Sequence, residues 1–330
     1  MEIPGLDDSE RRTTLSEVAK NMLKRSVIFA VIALTTRVAW AAPTSITACR
    51  NITIPGSYQL ANNLQATGNC LLLQSSDVTI DLNGFSIGGN QTGAGITDGG
   101  TKRLRIIVRN GTIQLFQTAI DLAHSQIVTI QKTNITNNVN GIMAGDYSGV
   151  DTCFVGSNIQ GIRLASSCTA TNNRLSKNRD VVISTGNNCI VAGNNGSDNS
   201  KALGIRGGTA ALVIGNVASS DYAGINVGDG STVADNTVSD DPLFGIIVNR
   251  GSTVARNTAT LNGTGANGEG IQVHENSLIW GNTSSQNKFG FTIYCPTLVL
   301  GNTSLFNSSS PPFYFANDLA CESVNNLPPP

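Results

Sequence analysis

The chain has 330 residues, a formal net charge of −1, 13% charged and 5% aromatic residues. That balance excludes a nucleic-acid binder, which needs a basic surface or an aromatic stacking platform. With 40% hydrophobic residues, mean hydropathy near zero, 35 glycines and only two histidines, the chain can bury a core and is not disordered; collagen, coiled coil and a polytopic membrane protein are excluded as well, and a multi-histidine metal site is limited by the two histidines.

Residues 1–21 are polar and carry no periodicity, and they read as an upstream extension. Met22-Leu23-Lys24-Arg25, the apolar run Val27 to Leu34 and Ala39-Trp40-Ala41 follow the order of a secretory signal, predicted over 22–41. The apolar run is too short to span a bilayer, which takes ~20 residues. A secreted, periplasmic or cell-envelope chain is therefore expected, without a transmembrane helix after cleavage. Residues 42–76 read as an N-terminal cap, 77–307 as the body, and 308–330, with Phe313-Tyr314-Phe315 and a Pro-rich end, as a C-terminal cap and tail. All seven cysteines follow the signal, and an oxidising compartment favours disulfides. Cys49 and Cys70 bracket the first coil and Cys295 and Cys321 the last, so each pair is placed to tie one end of the fold. No CxxC or zinc-type spacing occurs.

The body is a repeat. An asparagine recurs at 83, 110, 134, 173, 194, 216, 236, 257, 282 and 302, with Cys153 in the remaining place, at a spacing of about 22 residues. A second polar series runs through Asn158, Asn178, Asn199, Asp221, Asp241, Asn262, Asn287 and Asn307. Between these marks lie alternating stretches such as Ile225-Asn226-Val227 and Thr232-Val233-Ala234, the pattern of strands with one face buried. Strands this short, punctuated by Gly, Asn and Asp, must turn often. Three strands and three bends close one coil, so the expectation is an all-β parallel β-helix of about eleven coils, each strand hydrogen-bonded to its copy ~4.8 Å away. The asparagines are expected at inward bends, tolerating left-handed geometry and bonding to the backbone and to one another. Asp221 and Asp241 inherit that scaffold role.

Pro55-Gly56-Ser57-Tyr58, the stretch from Asp77 to Phe85, Arg109-Asn110-Gly111-Thr112-Ile113 and the Gly-Ile coils after them resemble exported bacterial proteins of the right-handed parallel β-helix, or pectin-lyase-like, superfamily, over about residues 45–310. The resemblance implies the fold and a polysaccharide or cell-surface glycan as partner. Members with known activity are lyases, hydrolases and epimerases of acidic or complex polysaccharides; others are tailspikes and adhesins. Polygalacturonase-like sites carry Asn-Thr-Asp, Asp-Asp and Gly-His-Gly, and epimerase-like sites Asp-Pro-His. Only Asp240-Asp241 is present here, so no family's catalytic residues carry over.

Aligning the coils on their Gly-Ile steps places Asp229, Arg250 and Glu275 in one vertical row, with Asn249 and His274 one position earlier. Arg163, Arg206, Asn226 and Gln272 occupy an outward position two residues after the glycine. In so charge-poor a chain, His274, Glu275, Arg250 and Asp229 form the candidate acid/base set, and Arg206, Asn226, Asn249 and Gln272 the candidate carbohydrate contacts. Arginine would hold a sugar carboxylate while histidine or glutamate took a proton; a surface charge ladder is the alternative. His124 is a candidate partner for Asp121. Cys168 and Cys189 stack in adjacent coils, as a disulfide or as buried thiols. No cofactor or metal is expected: oxygen ligands for Ca2+ exist at Asp221, Asp229, Asp240 and Asp241 but are scattered. The functional expectation is a monomeric exported protein that binds or acts on carbohydrate, the alternatives being an acidic-polysaccharide lyase, hydrolase or epimerase, or a structural adhesin. The sequence itself names no reaction.

Overall fold

The computed structural model describes residues 42–199, 201–263, 268–309, 311–317 and 320–327. The expected signal segment and the extension before it lie outside the described residues. Among those residues every regular element is a β-strand, and every strand pairing is parallel. A typical coil has three strands: Ala223–Val227 on a first face, Thr232–Ala234 on a second and Thr237–Ser239 on a third. Two long strands, Leu104–Gln114 and Gln126–Thr136, run through the second and third faces without a break.

The first face has thirteen strands, from Arg50–Ile52 to Phe313–Phe315, so the chain makes about thirteen turns rather than the eleven expected. The two additional turns come from the segments read as caps. They stack in register with their neighbours, Arg50 on Leu71 and Phe313 on Phe291, but carry none of the asparagines used for counting.

Inward side chains superpose coil on coil. Ile205, Ile225, Ile246, Ile271 and Phe291 form one buried column, and Val213, Val233, Val254, Ile279 and Val299 another. Burial of each such side chain is worth roughly 1.5–3 kcal/mol. At the chain ends, disulfides join Cys49 to Cys70 and Cys295 to Cys321, with Cα atoms 4.5 and 5.1 Å apart.

Hydrogen-bonded columns line the bends. Between the second and third faces, the Asn216 backbone N–H and Nδ2 both donate to Asn236 Oδ1, at 2.9 and 3.0 Å, and Nδ2 also donates to the Val191 carbonyl at 2.8 Å. Asn236 repeats the arrangement onto Asn257, and Asn257 onto Asn282. Upstream the column passes through Cys153 to Thr133, whose hydroxyl lies 3.2 Å from the Cys153 sulfur. Asn134, expected in this column, is the next residue and faces solvent. The left-handed conformation also falls elsewhere than expected, on the residue before each rung: Gly215, Asp235, Arg256 and Gly281, with φ of 64°, 57°, 52° and 64°. That residue turns the corner outward, which leaves the rung free to aim its amide inward. Asn83 and Asn110 themselves occupy such corner positions.

The second polar series lines the bend between the third and first faces, beginning one coil earlier than expected, at Asn138. A third column, between the first and second faces, runs through Ser148, Cys168 and Cys189, then Ala211, Ser231, Ser252 and Ser277. Cys168 and Cys189 are buried free thiols in it, which settles the choice between disulfide and thiols.

Replacing Asn236 by alanine strands the Asn216 N–H and the Val213 carbonyl in the interior. We expect Asn236→Ala to cost about 2–4 kcal/mol in denaturant unfolding, against less than about 0.5 kcal/mol for Asn134→Ala at the surface.

Candidate groove on the first face

Strand pairing stacks the outward positions of the first face into one row: Asp121, Met143, Arg163, Ser184, Arg206, Asn226, Ile247, Gln272, Thr292 and Tyr314. Folding makes no demand on these side chains, because the alternate positions fill the core. Arg163 and Arg206 stand two coils apart, roughly 10 Å, with Ser184 between them. Among the described residues neither guanidinium enters a hydrogen bond or an ion pair. Both line a depression of about 600 Å³ whose floor includes Gly186, Gly207 and Gly208, and an adjoining one of about 280 Å³ that reaches Gln160 and Asp180. Glycine is required in this floor: a Cβ on Gly208 would come within 2.6 Å of the Gly186 carbonyl carbon. The coils therefore approach closely, and the backbone lies open between the arginines.

At the N-terminal end the depression reaches Ala123. His124 there partners Asp98 rather than the expected Asp121, its Nδ1 lying 3.7 Å from Asp98 Oδ1. Asp98 is buried and accepts hydrogen bonds from Gly100 N–H, His124 N–H and the Ser125 hydroxyl. Burial and the neighbouring Asp98 charge raise the pKa of Asp121 above the usual carboxylate range. Sequence reasoning missed Asp98, since the local Thr97-Asp98-Gly99-Gly100 reads as a turn and the coil below is what makes it a partner.

The expected acid/base set lies further along the same edge. Asp229, Arg250 and Glu275 do stack, as Gly230 and Gly251 donate to the Arg250 and Glu275 carbonyls at 2.8 and 3.0 Å. Arg250 Nε reaches Glu275 Oε2 at 3.0 Å, and His274 Nδ1 is 3.9 Å from the same oxygen. Glu275's pKa lies below its ordinary value, held there by its own backbone N–H and then by Arg250, which makes it a weaker base. The His274 ring stacks on Tyr294 at 4.6 Å and touches Gln272 at 3.3 Å. Asn226 and Asn249 are exposed. Of the eight residues expected from the sequence, only Arg206 lines the two depressions.

The family model for "Periplasmic copper-binding protein (NosD)" matches residues 149–297. The A-module of the mannuronan C-5 epimerase AlgE6 from Azotobacter vinelandii is similar at 15% identity, covering 88% of this chain and 92% of that one, with a TM-score of 0.58. The periplasmic alginate epimerase AlgG is similar at 12% identity over 82% of this chain and 76% of its own, with a TM-score of 0.54. The chain is a right-handed parallel β-helix. No curated protein matches it. Among the described residues no three His, Cys, Asp or Glu side chains converge as metal ligands. No helix among the described residues is long and apolar enough to cross a membrane.

Two acids replace asparagine in the bend between the third and first faces. Asp221 N–H donates to Asp241 Oδ1 and Asp241 N–H to Asn262 Oδ1, at 2.9 and 3.2 Å. Neither Asp221 oxygen nor Asp241 Oδ2, all buried, receives a hydrogen bond of normal geometry, although the Asn199 N–H and amide lie close enough to Asp221 to favour its charged form. In this series Asn178, Asn199 and Asn262 donate Nδ2 to the carbonyls of Val155, Leu175 and Val238; strand register makes Gly196 and Ala218 the equivalent acceptors for the two acids. Only a protonated carboxyl can serve them. Burial pushes Asp221 up to about 8, and burial with the Asp221 charge pushes Asp241 up to about 9. The folded chain thus holds two protons that the unfolded chain, with carboxyls near 3.8, gives up. Stability from this source is full below pH ~4, falls as pH rises, and levels off above ~9. Melting temperature is expected to fall between pH 5 and 9, whereas Asp221→Asn/Asp241→Asn should flatten that slope and raise Tm at pH 8 by about 2–4 °C, measured by circular dichroism.

Proposed function

We propose that this is an exported β-helix protein that binds an acidic polysaccharide along its first face, with Arg163 and Arg206 holding sugar carboxylates. The observation that carries the reading is the pair of unpartnered guanidiniums astride Ser184 in an open groove. Arginine binds a carboxylate bidentately, and such charge-assisted bonds are the strong ones. An extended polysaccharide advances per sugar by a distance close to the strand spacing, so side chains on successive coils meet successive sugars. Gln160, Ser184, Asn226 and Gln272 supply hydroxyl-binding groups along the same face. The periplasmic name of the matched family and the alginate epimerases of similar fold support export and an acidic glycan.

Titration calorimetry with hexamers of mannuronate and galacturonate tests this. Arg163→Ala and Arg206→Ala should each weaken binding about tenfold or more, with a steep salt dependence in the parent protein. Arg105→Ala, remote from the groove, should change nothing. Unaltered affinity in both groove variants would sink the reading. A loss confined to Arg250→Ala and His274→Ala would move the site to the Asp229–Arg250–Glu275 row.

A second reading, catalysis, is favoured by the buried Asp98 behind His124 and by Asp121 at the head of the groove. A carboxylate held by Arg163 would acidify the proton on the adjacent sugar carbon, and His124, next to the lining residue Ala123 and two coils from Arg163, would be the candidate base. Incubation with polymannuronate should then raise the ultraviolet absorbance of an unsaturated uronate or exchange solvent deuterium into the sugar, and His124→Gln should abolish either signal. Neither signal from the parent protein leaves binding as the function.

A further inference from the structure

The first face ends in chemistry unlike that of its arginine-bearing middle. Glu269 and Phe289 stack in one outward row, and Thr292 and Tyr314 in the row three residues along. With Tyr294 they surround a cavity of about 320 Å³, at the lower end of the range for ligand pockets. Tyr294 is fixed from behind by the stacked His274 ring, which Gln272 contacts in turn. Tyr314 is held by the last first-face strand, whose Phe313 stacks on buried Phe291 at 4.8 Å. The walls are aromatic rings, with Tyr314 half exposed, and the polar groups among them are a partly buried carboxyl and a threonine hydroxyl.

We propose that this cavity is a subsite for a neutral sugar ring, three to five coils beyond Arg206, in which Tyr294, Tyr314 and Phe289 stack on the C–H face of the ring and Glu269 accepts or donates hydrogen bonds with its hydroxyls. It rests on the reading of the first face as a glycan groove. Three features select this ligand. A purely apolar molecule would strip water from the Glu269 carboxyl and leave it only the Thr292 hydroxyl. A uronate would meet that carboxyl with like charge. A cation would meet the like charge of the Lys288 ammonium, 5.6 Å from the Phe289 ring centroid. Burial raises the Glu269 pKa above its ordinary value, against the Thr292 hydrogen bond that lowers it. The proposed ligand is therefore a mixed chain in which uronates meet the arginines and a neutral unit reaches the aromatic end.

The test is NMR of the purified protein with ring-labelled tyrosine, with Tyr294→Phe and Tyr314→Phe assigning the two signals. The probes are neutral glucose hexamers with β-1,3, β-1,4 and α-1,4 linkage, a glucosamine hexamer and the mannuronate hexamer. At least one neutral hexamer should shift the Tyr294 and Tyr314 signals. Phe289→Ala should weaken it about fivefold, while Arg163→Ala and Arg206→Ala leave it unchanged. Tyr314→Phe should retain affinity, which separates lost stacking from lost folding. The proposal is overturned if no neutral hexamer shifts these rings on the order of 10 mM, or if only the glucosamine hexamer does. Mannuronate binding that depends on Arg163 and Arg206 is read independently, so the aromatic subsite and the arginine groove can fail separately.

Discussion

Each coil is held chiefly by the coil beneath it. Parallel backbone hydrogen bonds join every strand to its copy about 22 residues on, and the buried polar columns carry the same vertical bonding through the bends. This second part is the critical one. A coil must turn three times, and each turn brings backbone N–H and C=O groups into the interior where no strand partner exists. Asparagine answers both at once: Asn216 Oδ1 accepts from Asn194 while its Nδ2 donates to Val191 and Asn236. A side chain with a donor and an acceptor on one planar group satisfies the coils above and below it, which an aliphatic rung cannot do.

The same constraint explains which substitutions the columns admit. Serine, threonine and cysteine appear where the bend leaves less to satisfy, as at Ser231, Thr133 and Cys168. Aspartate has the acceptor and lacks the donor unless it carries a proton. Two aspartates stacked directly compound the difficulty, because the charge of the first opposes that of the second. Column geometry, burial and altered acidity are thus one physical statement about residues 221 and 241.

Much of the architecture was legible in the sequence because a solenoid writes its period into spacing. The Gly-Ile steps and the second polar series fall where the strands and bends are. The errors are local and have local causes. Asn134 stands one residue past its rung because Thr133 holds the inward place, and asparagine at both a corner and a rung looks the same in a list of spacings. The end coils were invisible to a count of asparagines they lack. The Ser148–Ser277 column escaped because small residues are common enough that their recurrence does not stand out. The stacking of Asp229, Arg250 and Glu275 was legible from alignment alone, yet alignment carries no information on depth. The depressions at Arg163 and Arg206 lie where paired glycines lower the floor, and Asp98 acquires His124 only through the neighbouring coil.

A repeating scaffold also separates structural from functional information with unusual clarity. Inward positions repeat because each must fit the one above; outward positions on the first face are under no such rule, and there the sequence stops repeating. The row passes from Asp121 through Met143 to Arg163, Ser184 and Arg206, then to Asn226, Ile247 and Gln272, and ends at Thr292 and Tyr314. Neighbours in this row are about 5 Å apart, so the gradient from carboxyl to guanidinium to aromatic ring is laid out along the axis at the scale of single sugar units. A small ligand would need only two or three of these coils. The row from Asp121 to Tyr314 varies over ten coils, and under the proposed reading that length suits a polymer met by side chains the fold leaves free to vary.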